Sequence, residues 1–293
     1  MNPVTARTIP LVVVLTLLWG TNWALFPLAL AEVSVWTFRA VTLVVSGVIL
    51  LGLARLRGQS LAVPRAAWRV LVAASFVYLV VWNVATAFAA ILIPSGQAAI
   101  LAFTMPAWTV LVMWAGFGDR PSPRLLLAVT LSVVGVGLLG YAARGAYAGA
   151  PLGFAMGLLA ALGWAVGTVI LKRANLRLPP LVTAGWQLLI AAAFTVPIAL
   201  ALGSGPWFVP SWTSILVIGY ISIVPMTFGN AAWFAIVGLL PANVSGLSSI
   251  MVPMVAMVTG AIAHHEPLGA YQLGAMACCA AAMGLALYRP RQA

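Results

Sequence analysis

Tryptophan and amide side chains occur in the middle of long apolar stretches of this chain, where lipid would leave their polar atoms unpaired. Trp19, Asn22 and Trp23 are spaced i, i+3 and i+4, so they share one face of a helix. They lie about 15 Å from the start of their apolar stretch near Ile9, close to the middle of a bilayer. An unpaired amide in lipid is costly, so these side chains should face the bundle interior or water.

Comparable residues stand at middle depths in most of the other apolar stretches. Aromatic walls with a few amides are what a pocket for a small molecule needs, and we predict such a pocket at the centre of the bundle. In the alternative interpretation, the rings fill gaps between helices and the amides form interhelical hydrogen bonds. The predicted pocket residues are Trp19, Asn22, Trp23, Arg39, Tyr78, Trp82, Asn83, Trp108, Trp164, Thr168, Trp186, Gln187, Asn230, Trp233 and Ser248.

Arg39 is the charged member of this set and lies about five residues inside the second apolar stretch. It has two interpretations. In the first interpretation, its side chain extends to the outer membrane surface, as long basic side chains do near helix ends. Alternatively, it meets a carboxylate, such as that of a bound substrate. Trp186 and Gln187 stand near the matching place in the second half of the chain, so the charge is not repeated there.

The titratable groups exclude most enzyme chemistry. All three acidic residues and both histidines fall at predicted helix ends or in loops, so no nucleophile with its base can form within the membrane. We expect Asp119 and Glu266 to favour the dipoles of the helices that follow them, rather than to carry protons. The pair of histidines at 264–265 beside Glu266 is a weak metal signal, and we predict neither a metal nor a cofactor.

Composition then defines the elements that hold these residues. Hydrophobic residues make up 64% of the 293 residues and charged ones only 6%, whereas soluble domains carry about 25% charged residues. The chain is therefore predicted to be an all-α integral membrane protein with ten transmembrane helices. The expected spans are 9–30, 34–55, 67–92, 96–117, 123–142, 151–171, 181–203, 212–237, 242–263 and 268–288.

The basic residues predict an orientation with both termini inside. Twelve of them then fall on the inner side, and only Arg144 and Arg39 fall on or near the outer side. We therefore interpret the net charge of +11 as basic residues that orient the chain in the membrane, next to anionic lipid. We predict no nucleic-acid partner. The N-terminal stretch resembles a cleavable signal peptide, but we predict a retained helix because the repeat described next needs it.

The two halves of the chain repeat each other at an offset of 147 residues. Asn83 then aligns with Asn230, Asp119 with Glu266, and "NVATAFAAILIP" at 83–94 with "NAAWFAIVGLLP" at 230–241. Five helices per copy place the second copy upside down, so residues 1–147 and 148–293 form two inverted repeats. Inverted repeats are typical of secondary transporters with a central binding site and alternating access.

Prolines within the predicted helices indicate where those helices bend. Pro106 and Pro253 interrupt the fourth and ninth spans at symmetric places, and we predict them as hinges. Pro225 in the eighth span aligns with Tyr78, so the sequence predicts that bend in one repeat only.

Several segments resemble the drug/metabolite transporter superfamily in its EamA-type ten-helix branch. They are "LLWGTNW" at 17–23, "GQAAILAFTMPAWTVL" at 96–111, the acidic residues after spans four and nine, and "VVGVGLLG" at 133–140. The tryptophan-rich centre is most similar to the YddG group of amino-acid exporters. Span nine departs from its partner, with "SSIMVPM" at 248–254 where span four has "AFTMPAW" at 102–108.

The resemblance implies a bacterial inner-membrane exporter of small metabolites, with amino acids prominent among the substrates. Because no obvious proton acceptor lies at the centre, we predict uniport. The alternatives are a proton-coupled exporter of drugs or other metabolites, with Glu32 folding inward, and a channel. A channel would normally show a charged pore or a filter. The oligomeric state stays open, and a monomer is compatible with the sequence.

Overall fold

The computed structural model describes residues 3–93, 95–142, 144–204, 209–240, 249, 251–264 and 269–287, and within these ranges the regular elements are helices. Eight of them are long and apolar enough to cross a membrane. Their ends lie within three residues of the first eight predicted spans. The eight are α1 (Thr8–Leu30), α2 (Val35–Leu56), α3 (Arg65–Leu92), α4 (Ala98–Phe117), α5 (Pro123–Ala142), α6 (Pro151–Ala174), α7 (Pro180–Leu202) and α8 (Trp212–Leu239).

The described chain also contains a short helix at Arg144–Gly149 and two longer ones, α9 (Val252–His264) and α10 (Ala270–Leu287). α9 and α10 match the ninth and tenth predicted spans, with α9 ending one residue beyond its span, but the first part of the ninth span lies outside the described residues. The structure therefore establishes an all-helical membrane protein with eight spanning candidates among its described residues. The count of ten stays a prediction.

The helix ends follow local sequence signals. The Ser34 hydroxyl accepts a hydrogen bond from the Thr37 N–H and caps α2, and Ser211 caps α8 in the same way. The Ser122 hydroxyl accepts from the Leu125 N–H at the start of α5. The Asp119 carboxylate pairs with Arg173, and its expected effect on the dipole of α5 stays a prediction. Glu266, for which the same effect on the tenth span is expected, lies outside the described residues.

The bundle has a central group of helices and a separate peripheral pair. α2 packs along α7, α3 along α6, and α1 along α8 and α9, while α5 packs along α10 at the periphery. Glycines permit the closest approaches: a Cβ on Gly167 of α6 would stand 2.3 Å from the Tyr78 Cβ of α3. Cys279 of α10 is a buried packing residue beside Gly135 of α5.

Four of the central helices are irregular near the middle of the bundle. α1 contains a 3₁₀ turn over Trp23–Leu25, and α4 is interrupted at residues 103–104, just before Pro106. α3 has a π-helical segment at Phe76–Val80, and α8 has one at Ser222–Gly229. The prediction of a bend in α8 alone is therefore wrong. The π segment of α3 falls at the matching place in the first repeat, although no proline marks it.

Candidate functional site

A small central cavity lies among α1, α2, α3, α4, α6 and α8. Its volume is about 30 Å³, which leaves room for a few water molecules at most and is far below the ~300–1,000 Å³ of ligand pockets. The structure is therefore contracted around its centre. The lining residues are Trp19, Asn22, Trp23, Phe26, Arg39, Leu79, Trp82, Asn83, Thr86, Phe103, Trp164, Pro225, Met226 and Asn230.

Tryptophans close this cavity on the side of α6 and α8. The rings of Trp19 and Trp164 meet edge to face, with their centroids 5.2 Å apart, at the contact between α1 and α6. Trp164 also contacts Trp82 at 4.4 Å and Tyr78 at 4.3 Å, and Trp233 at 5.2 Å. Edge-to-face and tilted ring contacts of this kind stabilise by about 0.5–1.5 kcal/mol each beyond the burial of area, so the cluster holds the contracted shape.

The π segment of α8 positions Trp19. The Trp19 Nε1–H donates to the Pro225 carbonyl oxygen at 3.1 Å, an atom of the irregular segment. Gly229 makes room for the ring, because a Cβ there would stand 2.3 Å from Trp19 Nε1. The indole N–H of Trp164, by contrast, is buried with no hydrogen-bond partner. Trp19 and Trp164, which contact each other, thus differ in that only Trp19 donates a hydrogen bond from its indole N–H.

Two asparagines that the repeat aligns adopt the same arrangement. The Asn83 Nδ2 donates to the Leu79 carbonyl at 2.8 Å, and the Asn230 Nδ2 donates to the Met226 carbonyl at 2.7 Å. Each is thereby anchored one turn back along its own helix. Asn230 directly follows the π segment of α8, and Asn83 lies three residues after that of α3. The Oδ1 atoms of both, and that of Asn22, are buried without a donor. Three amide oxygens of the cavity residues therefore still lack a hydrogen-bond donor.

Arg39 lies inside the bundle, not at its surface. Arg39 is only 1% exposed, and its Nε donates to the Asn83 carbonyl oxygen at 2.7 Å. Its Nη2 donates to the Thr86 hydroxyl at 3.0 Å, and the guanidinium stands 4.8 Å from the ring centres of both Phe26 and Phe38. The surface interpretation of Arg39 is therefore wrong. Among the described residues no carboxylate reaches it.

Both described carboxylates are engaged at opposite ends of the bundle. Asp119 pairs with Arg173 at the end where most basic residues lie, hereafter the basic end. Glu32 lies at the opposite end, where it accepts hydrogen bonds from the Ser211 hydroxyl and backbone N–H. These bonds hold the pKa of Glu32 below its ordinary value, so this carboxylate is ionised at neutral pH. Within the described chain no cluster of three or more His, Cys, Asp or Glu residues could hold a metal.

The structure brings together about half of the residues predicted for the pocket. Tyr78 and Trp233 pack behind Trp164 without lining the cavity, and Gln187 is buried with its amide unpaired. Ser248 lies outside the described residues. The residues that line the cavity are Trp19, Asn22, Trp23, Arg39, Trp82, Asn83, Trp164 and Asn230.

Three predicted pocket residues make other contacts. Trp186 donates to the Leu61 carbonyl at 2.9 Å and so ties α7 to the loop before α3. Trp108 donates to Thr104 at 3.2 Å, and Thr168 donates to the Trp164 carbonyl at 2.8 Å. The structure does not place any of them in the cavity.

The sequence prediction missed six lining residues: Phe26, Leu79, Thr86, Phe103, Pro225 and Met226. Thr86 stands at i+3 from Asn83 and could have been found from that spacing. Phe103 lies at the interruption of α4, which Pro106 had marked in the sequence.

A second opening lies at the basic end, between the ends of α6 and α8 and the start of α7. We call it the vestibule, and its volume is about 610 Å³. Among the described residues that line it, Lys172 alone carries a positive charge. Its remaining lining is mainly apolar: Leu11, Leu171, Asn175, Leu176, Leu178, Pro180, Thr183, Phe234, Ala235, Val237, Gly238 and Leu239.

Comparison with known protein families identifies the chain. The EamA-like transporter family matches it twice, over residues 6–141 and 151–288. The chain belongs to the EamA-like transporter family. It is accordingly a multi-pass membrane transporter and not an enzyme, and relatives named inner membrane transporters place it in the inner membrane.

Individual relatives of this EamA-like transporter are distant. An uncharacterized transporter of Bacillus subtilis, YvbV, is 24% identical over 89% of the chain and 85% of its own length. YedA of Escherichia coli K12, an uncharacterized inner membrane transporter, is 25% identical over 84% and 79%. A probable amino-acid metabolite efflux pump of the same organism is 26% identical over 62% and 64%. A solved crystal structure shares the fold with a TM-score of 0.76 at 21% identity over 96% of both chains.

Proposed function

We propose that this transporter exports amino acids, including aromatic and hydrophobic ones, through the central cavity. One observation carries the proposal. The residues that line the cavity include a buried guanidinium that has no described carboxylate partner and three asparagines whose amide oxygens are buried without a donor. An α-amino acid supplies both missing partners, because its carboxylate accepts from Arg39 and its ammonium donates to amide oxygens. A guanidinium binds a carboxylate in a planar, two-bond geometry.

The cavity walls suit the side chain of such a substrate. Trp19, Trp23, Trp82, Phe103 and Trp164 provide aromatic surface around the polar groups. Large apolar side chains would pack on these rings, and smaller ones would leave room for water. The distant relationship to a protein named a probable amino-acid metabolite efflux pump is consistent with this substrate class.

Alternating access through two inverted repeats is the mechanism that we propose. Residues 1–147 and 148–293 form the repeats, with ten spans and both termini inside. The double match of the family, once in each half, supports this division. So do the helix contacts, because α3 packs on α6 as α8 packs on α1, and α4 packs on α6 as α9 packs on α1. The paired π segments and the paired asparagines add two matches in detail.

The hinges in this mechanism are the interruptions before Pro106 and at Pro253. Met105–Phe117 and Val252–His264 begin at positions 147 residues apart, and each carries its proline in the second position. Proline removes one backbone hydrogen bond, so bending at these points costs little. Tilting of the two half-helices would enlarge the contracted cavity toward one side and then toward the other.

Downhill transport without an ion is part of the proposal. The two described carboxylates are held by partners at the ends of the bundle, far from the cavity. A lowered pKa keeps Glu32 ionised at neutral pH, so it does not exchange protons in that range. An exporter of this kind releases a substrate that the cell accumulates.

Transport of matched analogues in proteoliposomes tests the substrate class. L-Phenylalanine, 3-phenylpropionate and phenethylamine share the ring, but the second lacks the ammonium and the third lacks the carboxylate. We expect saturable efflux of L-phenylalanine and at least about tenfold slower efflux of either analogue, since each loses a charge-assisted hydrogen bond in the central cavity. Equal efflux of all three would show that the ring alone is recognised and would overturn the zwitterion proposal.

A further inference from the structure

The vestibule at the basic end combines one cation with apolar walls. Lys172 lies in the last turn of α6, and its Nζ donates to the Val237 carbonyl at 2.7 Å, near the end of α8. Leu11, Leu171 and Phe234 supply apolar surface around it. The volume of about 610 Å³ falls within the ~300–1,000 Å³ of small-molecule sites, unlike that of the contracted central cavity.

Lys172 has capacity for an anionic ligand. An ammonium carries three donors, and among the described contacts Lys172 uses one, to Val237. Neighbouring Arg173 already pairs with Asp119, and Glu32 lies at the other end of the bundle, so no described carboxylate neutralises Lys172. The side chain is half-buried in an apolar surround, where a ligand anion would replace lost hydration.

The vestibule adjoins the aromatic cluster that closes the centre. Phe234 lines the vestibule, and its ring stands 5.9 Å from that of Tyr78. Tyr78 in turn contacts Trp164, which lines the central cavity. A ligand in the vestibule would therefore be connected to the central site through this series of ring contacts.

We propose that the vestibule is a second ligand site, which binds small carboxylates with an apolar side chain before they reach the centre. Lys172 holds the carboxylate and the leucine and phenylalanine surface holds the side chain. The role as a waiting site on the export route rests on the proposed function, whereas the binding itself does not. A single cation without a described acidic partner favours an anionic ligand. The ligand does not need to carry an ammonium group.

Cysteine protection tests this site in the whole protein. Leu176→Cys places a thiol in the vestibule wall, in a background with Cys278→Ala and Cys279→Ala, reconstituted in phosphatidylcholine nanodiscs. We expect 3-phenylpropionate and L-phenylalanine to slow its alkylation by N-ethylmaleimide, and phenethylamine to have no effect. Arg177→Cys is the matched control, because it is exposed in the same loop and does not line the vestibule. Its alkylation should be unchanged by every ligand.

Substitution of the cation separates charge from structure. Lys172→Gln can still donate to Val237 but lacks the charge, and we expect the protecting concentration of 3-phenylpropionate to rise about tenfold or more. Lys172→Arg should retain protection, and so should Arg177→Gln, which removes a nearby exposed charge. Unchanged protection in Lys172→Gln, or equal protection by phenethylamine, would overturn the proposal.

A lipid occupant would give a different result. If phosphatidylglycerol filled the vestibule, nanodiscs containing it would slow alkylation of Leu176→Cys without any added ligand, and the proposal would fail. Arg39→Gln distinguishes the vestibule from the central site. This change in the central site should leave protection of the vestibule by 3-phenylpropionate intact. A chain that transports no amino acid but shows Lys172-dependent protection would contradict the proposed function and support this site.

Discussion

At the scale of single residues, the account depends on Arg39. A buried guanidinium without a carboxylate is costly unless other groups replace its hydration, and here one carbonyl, one hydroxyl and two aromatic rings do so. This arrangement keeps the charge in place and leaves it able to bind an anion. The three unpaired asparagine oxygens indicate the complementary demand for a donor.

Replacement of Arg39 by Gln should raise the KM for L-phenylalanine about ten- to a hundredfold, because a charge-assisted hydrogen bond is lost. Glutamine can still donate to Asn83 or Thr86, so the helices keep a contact here. Efflux kinetics in proteoliposomes measure the change, and Arg39→Lys, which keeps the charge, should lose less. A variant with unchanged KM and a lower melting temperature would assign Arg39 a purely structural role.

The residue scale also shows how far the sequence could predict the site. Trp19, Asn83 and Asn230 were identifiable because costly polar groups at middle depth must face inward. Trp164 and Trp186 look alike in sequence, yet one lines the cavity and the other donates to Leu61. That difference depends on which helices become neighbours, and a single amino-acid sequence does not show this.

At the scale of helices, the irregular segments position the site. Each π segment rotates the following residues relative to a regular α-helix, and each is followed by an asparagine of the cavity. Pro225 marks the segment in α8, but residues 76–80, "FVYLV", carry no breaker. The span lengths could be predicted from hydrophobicity, whereas this irregularity is set by contacts across the bundle, such as that of Tyr78 with Gly167.

Gly229→Ala should destabilise the protein by about 1–3 kcal/mol and reduce transport, because the new methyl group would overlap Trp19 Nε1. Gly219→Ala on the same helix is the matched control, since nothing lies within 4 Å of a Cβ there. The control should keep its stability or gain up to about 1 kcal/mol. Thermal denaturation in detergent compares the pair, and equal effects would contradict the close packing of Trp19 on α8.

Glu32 and Ser211 link the loop between α1 and α2 to the start of α8. Because the folded pKa of Glu32 is lowered, its contribution to stability is present above the unfolded pKa and is lost as pH falls through the folded value. Glu32→Gln should therefore lower the melting temperature at about pH 7, and the difference from the parent protein should shrink as the pH falls below the ordinary pKa of glutamate. It should leave the pH profile of transport unchanged between about pH 6 and pH 8; a shifted profile would implicate Glu32 in proton coupling.

At the scale of the whole molecule, the proposed inverted repeat assigns each loop to a side of the membrane. Asp119 and Glu266 align at the offset of 147 residues, so the proposal places them on opposite faces, with Asp119 inside. Asp119→Cys and Glu266→Cys, each in a background lacking Cys278 and Cys279, can be labelled with an impermeant maleimide from either side. Labelling of both from the same side would contradict the inverted repeat.

Counterflow tests the central claim, a carrier that moves amino acids by alternating access without an ion. Proteoliposomes are loaded with unlabelled L-phenylalanine and diluted into buffer with a trace of the labelled compound. The account predicts a transient accumulation of label above equilibrium, unchanged by a protonophore or an imposed pH gradient and reduced in Arg39→Gln. Label that rises only to equilibrium would indicate a channel, and an overshoot that requires the pH gradient would contradict uniport.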